Sequence, residues 1–250
     1  MSPASLPRLG LGTWQIKGDN AYRAVRHALE VGYRHIDTAQ LYGNEDQVGR
    51  ALRDSGIDRE EVFVTTKYPQ RTPGGETEAL TASLRALGLE RVDLWLMHFP
   101  LKSPEDNARV WDRFSVASTG RADAIGVSNH SIEQLDALVA ATGRAPAVNQ
   151  IRFNPALYDP TLVAAHRERG ILLEGHSPLR RPTLTHPILT GIADRHRASS
   201  AQVLLAWHFA HDIPAIPKSV HVERITENFG ALDVRLSESE VSAIDALGKM

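Results

Sequence analysis

The stretch "HIDTAQLYGNE" (35–45) brings an apolar approach to an end at Asp37 and places Tyr42 five residues further on. Two later runs, "VFVTTK" and "DLWLMH", end in Lys67 and His98. A carboxylate is a poor strand residue and is costly to bury alone, so Asp37 calls for a cation, and Lys67 can supply one. An ammonium beside a phenol favours the phenolate and eases proton donation from Tyr42 near neutral pH. A histidine donor can fix a substrate oxygen next to that phenol. Such a set suits proton transfer to a carbonyl that is becoming an alkoxide. It holds no nucleophile–base pair for hydrolysis, and the eleven histidines fall in no metal-ligand pattern. Taken singly, Asp37 reads as a turn cap, Lys67 as a solvated or paired charge, His98 as a hydrogen-bonded core residue and Tyr42 as rim packing. The joint reading requires a fold that carries all four to one place.

The elements that could do so recur along the chain. Strand candidates are 8–12, 34–37, 62–67, 92–98, 124–129, 147–151, 171–176 and 215–219. Between them, 20–32, 44–56, 77–88, 131–143 and 159–170 carry apolar residues at helical spacing. The first of these ends at Gly32, and the last opens with Asp159 as cap and Pro160 in the first turn. Segment 195–212 reads as an amphipathic barrel helix with its preceding turn. Eight strands alternating with helices imply a parallel sheet closed into a (β/α)8 TIM barrel, and no linker or composition shift divides residues 1–250. An open doubly wound sheet is the alternative, but no G-x-G-x-x-G opens a helix. Strand ends of such a barrel share one face. Here they read Asp37, Lys67, His98, Ser128 with Asn129, Gln150, His176 and Lys218. Trp95, Trp111 and Trp207 lie in apolar contexts and are expected in the core.

The chain has 250 residues, a length that suits one such barrel, and a formal net charge of −2, which gives no general pull towards nucleic acid or anionic membrane. The lack of cysteine excludes disulfides, thiolate nucleophiles and cysteine metal sites without fixing a compartment. "MSPASLPRLG" has no signal-peptide pattern, and no apolar run nears the ~20 residues of a membrane helix. A cytoplasmic protein acting on a small molecule, with no nucleic-acid or membrane partner, is expected.

"IPKSVHVERITENFG" (216–230) adds a different chemistry. Lys218 and Ser219 end the last strand and Arg224 follows near the next helix start, a combination suited to phosphate. With "GLGTW", "GYRHIDTAQLYGNE", "VFVTTK", "DLWLMHFP", "IGVSNH", "VNQIRFNP", "SPL" and "IPKS…RITEN" in this order, the chain resembles the aldo-keto reductases almost end to end, and most of all short bacterial members that reduce diketo-gluconate, methylglyoxal or generic aldehydes. The resemblance implies that Tyr42 protonates a carbonyl oxygen, that Lys67 and Asp37 tune it, that His98 orients the carbonyl, and that NADPH delivers the hydride. It also implies that Ser128, Asn129 and Gln150 hold the nicotinamide carboxamide. Lys218, Ser219 and Arg224 would grip the 2′-phosphate, with Glu227 and Asn228 on the adenine. Gly12, Thr13, Asp37, His176, Ser177 and Leu179 would line the cofactor site. Trp14 and Phe99 would join Tyr42 and His98 around the substrate, and the family leans towards monomers.

The chain departs from that family at several points. His176 stands where Tyr or Trp usually stacks on nicotinamide, and an imidazole can titrate near neutral pH. Phe99 and His130 replace a usual Trp and Phe, and "RFNP" replaces "EYHP". The segment between His98 and Trp111 is short, the N-terminal hairpin is mostly absent, and the chain stops at Met250 without the family's tail. An open, less selective pocket, or one completed by a partner chain, is expected. Two other readings compete: a cofactor-binding sensing or interaction subunit, and a barrel lyase with Lys67 as Schiff-base former. Arg180 and Arg181 read as a solvated loop.

Overall fold

The computed structural model describes residues 6–69, 74–180 and 184–249. The strands are β1 (Leu11–Gly12), β2 (His35–Asp37), β3 (Phe63–Tyr68), β4 (Val92–Met97), β5 (Ala122–Ser128), β6 (Val148–Arg152), β7 (Leu172–His176) and β8 (Ala215–Ile216). They lie side by side in sequence order, and each neighbouring pair is parallel. Gly10 N–H donates to the Ala215 carbonyl at 3.0 Å and Gly12 N–H to that of Pro217 at 3.0 Å, which brings the last strand back against the first. The barrel expected from the alternation is therefore present. β1 and β8 are shorter than predicted: β1 begins only at Leu11, with Leu9 in an isolated bridge to Ala215, and β8 ends at Ile216. The first five residues, where the reduced hairpin would lie, and Met250 are outside the described residues, as is Arg181.

The helices are α1 (Asp19–Val31), α2 (Glu45–Ser55), α3 (Glu76–Leu87), α4 (Pro104–Ser118), α5 (Ile132–Thr142), α6 (Pro160–Glu168), α7 (Pro187–His196), α8 (Ser200–Ala210), α9 (Val222–Phe229) and α10 (Glu238–Asp245). Asp159 caps α6 by accepting from Thr161 N–H, with Pro160 in the first turn, as the sequence suggests. Reciprocal Ser–Gln caps start α5 at Ser131 and α8 at Ser199. α2 and α3 pack closely because position 49 is glycine; a Cβ there would stand 2.2 Å from the Leu87 carbonyl oxygen. The segment 195–212 departs from expectation. It holds the end of α7 and then α8, which is buried around most of its circumference, including Leu204, Trp207, His208 and Phe209. A helix with so little exposed surface shows no clear amphipathic stripe.

Alternation along the strands divides the interior in two. Val64, Trp95, Met97 and Val127 join the shell that packs against the helices, where Trp95 stacks on Phe114 at 3.6 Å. Leu94, Leu96 and Val148 form a separate apolar cluster, against which Phe63, Ala124 and Leu172 pack. Two residues further along β2, β3, β7 and their neighbours, the side chains on this inner face become polar. Trp95, Trp111 and Trp207 are all fully buried.

Candidate active site

Asp37, Lys67 and His98 lie at or just past the ends of β2, β3 and β4, so parallel strands in register bring them to one rim. Tyr42 reaches the same rim from a short 3-10 turn, Gln40–Tyr42, which closes on Gly43 at φ 63, a backbone conformation open to glycine without strain. Asn44 holds that turn in place. Its amide donates to the carbonyls of Thr13 at 2.9 Å and Ile16 at 2.8 Å, and its oxygen accepts from Thr38 Oγ1 at 3.0 Å. The role of Asn44 was not read from the sequence, although the Gly43–Asn44 pair just past Tyr42 is a fair turn signal.

The four residues meet. Lys67 Nζ lies 2.5 Å from Asp37 Oδ1 and donates to the Thr38 carbonyl at 2.9 Å; both partners of the pair are almost completely buried. The same ammonium is 5.3 Å from the centre of the Tyr42 ring. Tyr42 and His98 meet edge to face with centroids 5.7 Å apart, and Phe99 stacks on the other side of His98 at 4.4 Å. Burial weakens the Lys67 charge, but attraction from Asp37, Tyr42 and Glu174 outweighs it, so its pKa is raised. A fully buried, firmly protonated lysine clamped to a carboxylate is a poor Schiff-base former, which removes the lyase reading.

Two electrostatic expectations need correction. Lys67 does pull the Tyr42 pKa down, by its charge and by a hydrogen bond, but burial of the phenol pushes harder and the net direction is up. Tyr42 is thus held as a proton donor. His176 does not titrate near neutral pH: burial, helped by Lys67 and Arg152, lowers its pKa to about 4. His98 is lowered to about 3 by burial, Lys67 and His176, so it acts as a neutral imidazole.

The same burial makes stability depend on pH. His35 and His208 are fully buried and lowered to about 3 and about 4, mainly by desolvation. Their folded pKa values lie below the unfolded value, so the stability they lend is full above pH ~6.5 and is lost as pH falls towards 4. Each is expected to cost up to about 1.4 kcal/mol per pH unit over that window. Urea unfolding at pH 7 and pH 5 should show a clearly lower midpoint at pH 5; equal midpoints would refute this.

A cavity of about 390 Å³ opens beside the four residues. Of the predicted site, Gly12, Trp14, Asp37, Tyr42, His98 and Phe99 line it, and so do Ser128, Asn129, Gln150, His176, Ser177 and Lys218; Lys67, paired with Asp37, is not among the lining residues. Leu41, Arg152 and Ile216 also line it and were missed, and Arg180, read as solvated, joins them. Thr13 lies behind the wall, donating through N–H and Oγ1 to the Asp37 carbonyl at 3.0 and 3.1 Å. Leu179 packs against the core. Ser219, Arg224, Glu227 and Asn228 stand away from the cavity; Ser219 Oγ accepts from His221 N–H at 3.0 Å, and Asn228 is buried in α9.

The residues present fit a nicotinamide dinucleotide. His98 Nδ1 is buried without a protein partner among the described residues. Asn129, at φ 62, lies between two lining histidines, donating to the His98 carbonyl at 3.1 Å while its oxygen meets His176 Nε2 at 3.2 Å. Gln150 gives its amide nitrogen to carboxylates, at 2.8 Å to Asp37 Oδ2 and 2.8 Å to Glu174 Oε2, which leaves its carbonyl oxygen free to accept. Lys218 and Arg224 are exposed cations with no carboxylate partner among the described residues.

Comparisons with known proteins point to one family. A family model described as "Aldo/keto reductase family" matches residues 8–249. The chain is 42% identical over 259 residues to morphine 6-dehydrogenase of Pseudomonas putida, covering 97% of this chain and 88% of the relative. It is 37% identical over 246 residues to methylglyoxal reductase DkgA of Escherichia coli K12, covering 97% and 90%. The crystal structure of a Bombyx mori aldo-keto reductase in complex with NADP superposes with a TM-score of 0.90 at 34% identity, covering 97% of this chain and 89% of that one.

Proposed function

The chain belongs to the aldo/keto reductase family, and on that premise we propose that it reduces an aldehyde or ketone to the alcohol with NADPH as reductant. The observation that carries this reading is the cluster of Tyr42, Lys67, Asp37 and His98, of which Tyr42, Asp37 and His98 line the cavity. The cofactor's contribution, when bound, is a hydride for the carbonyl carbon. Tyr42 donates its proton to the carbonyl oxygen as negative charge develops there, and Lys67 stabilises the phenolate left behind. Asp37 fixes the ammonium in position and balances its charge. The neutral imidazole of His98 offers one N–H to the same oxygen and orients the substrate. Trp14 and Phe99, both about half exposed at the mouth, give the substrate an apolar wall.

In this reading Ser128, Asn129 and the Gln150 oxygen hold the carboxamide, and the His176 ring lies against the nicotinamide. Gly12, Thr13, Ser177 and Leu179 shape the wall along the cofactor. Lys218, Ser219 and Arg224 take the 2′-phosphate, and Glu227 and Asn228 the adenine. The NADP-bound Bombyx relative supports NADPH over NADH. A cytoplasmic monomer is part of the same proposal, and no described helix is long and apolar enough to cross a membrane.

Arg224→Ala tests the phosphate assignment. Loss of a charged hydrogen bond is worth about 1.5–3 kcal/mol, so NADPH should bind roughly 10- to 100-fold more weakly while NADH binding stays as it was. Fluorescence titration with both nucleotides reads this directly. An equal loss for both, or none for either, would remove Arg224 from the 2′-phosphate.

A further inference from the structure

Beneath the four residues lies a second carboxyl. Glu174, in the middle of β7, is fully buried, and its Oε2 accepts from the Gln150 amide that also binds Asp37. Among the described residues its Oε1 has no hydrogen-bond partner, and neither has His35 Nδ1, which lies 3.8 Å away. His35 is fully buried too, and its Nε2 meets Thr65 Oγ1 at 3.0 Å. The ring can sit there because residue 10 is glycine; a Cβ would come within 2.5 Å of Nδ1.

We propose that Glu174 is a positioning residue of the site: a neutral carboxylic acid, facing His35 and tied through Gln150 to Asp37, that leaves Asp37 the single negative charge opposite Lys67. This rests on the reductase reading above. Two carboxylates sharing one amide donor group in a buried space cannot both carry charge cheaply. Asp37 has the ammonium at 2.5 Å, so the proton belongs to the other carboxyl. A proton on Oε1 would face the bare His35 Nδ1 across 3.8 Å, where a carboxylate would instead set a negative charge against an unprotonated nitrogen. The charged and titratable groups that face Glu174 are Asp37 and His35 from β2 and Lys67 from β3, while β6 presents the Gln150 amide. His208 of α8 packs behind Gly175, on the opposite face of β7. Burial, with Asp37 next, pushes the Glu174 pKa up to about 8, and the His35 imidazole is held neutral.

The consequence is functional. At neutral pH the Asp37–Lys67 pair is balanced and Lys67 can stabilise a Tyr42 phenolate. Once Glu174 ionises, Lys67 faces a second negative charge, the phenolate is less stabilised, and proton donation slows.

Glu174→Gln keeps the shape and the neutral state at every pH. Its kcat should match the wild type at pH 7 and exceed it by roughly three- to tenfold at pH 9.5, the size expected for one added like charge, with KM unchanged. Glu174→Asp, which restores a titrating carboxyl, should restore the decline. Infrared spectroscopy of the wild type without cofactor should show a protonated-carboxyl band at pH 7 that disappears with a midpoint near 8 and is missing from Glu174→Gln. If the variants do not fold, the wild-type band decides alone: no such band titrating between pH 6 and 10 overturns the proposal. A kcat ratio constant with pH in active enzyme overturns it as well. Failure of the wild type to reduce any carbonyl would instead strike the reductase reading, since the infrared result does not depend on turnover.

Discussion

Tyr42→Phe is expected to lower kcat for carbonyl reduction by roughly 10²–10⁴-fold, the usual worth of a positioned general acid. Only the hydroxyl is removed. The ring remains to pack edge to face on His98, and Asn44 still clamps the turn that carries it. Folding and nucleotide binding should therefore stay near wild-type values, and the whole loss should appear after binding. The Tyr42 pKa is raised on balance by burial, so the phenol is protonated across the neutral range and no base form is lost in the variant. Steady-state kinetics together with NADPH titration separate the two effects. A variant that kept a tenth or more of wild-type kcat would assign the proton to another donor.

Lys67→Met is the second large effect, and it falls on stability. The substitution leaves Asp37 buried without its cation, beside the second carboxyl of Glu174. Breaking a buried pair from one side costs about 3–5 kcal/mol. Adding Asp37→Asn removes the stranded charge, so the double variant should be more stable than Lys67→Met alone. Urea denaturation of the three proteins at one pH measures this, and a double variant no more stable than Lys67→Met would show that the stranded carboxylate is not the source of the loss.

Much of this arrangement could be read from strand ends. Asp37, Lys67, His98, Ser128, Gln150 and His176 each follow an apolar run, and parallel strands in register can only deliver them to one face. What could not be read was how deep they lie. The ordering of Lys67 attraction against desolvation at Tyr42, and the silencing of His176, depend on burial that no spacing reveals. Glu174 was within reach but was overlooked. It stands two residues before His176 in "ILLEGH", as His35 stands two before Asp37, and a period of two puts each pair on the same inner face. The apolar context of that run hid a carboxylate that the barrel turns inward.

Some helices escaped notice for local reasons. α7 begins behind His186, whose ring accepts from Ile188 N–H at 3.3 Å in place of the usual serine or aspartate cap. α4 carries its acidic first turn ahead of its apolar face, although Ser103 and Pro104 mark its start. α8, by contrast, was read as a helix within 195–212, but not as one buried around most of its circumference. These helices support the rim without contributing the chemistry, so the site was legible even where its scaffold was not.

In the proposed function this cavity reduces a carbonyl with NADPH through Tyr42. Purified protein should be mixed with NADPH and a panel of small aldehydes, ketones and 2-oxoaldehydes, and both NADPH consumption and alcohol formation followed for wild type and Tyr42→Phe. One alcohol should form per NADPH consumed for at least one carbonyl, with the rate almost abolished in the variant. Wild-type protein that binds NADPH yet reduces no member of the panel, or a rate unchanged in Tyr42→Phe, would contradict it.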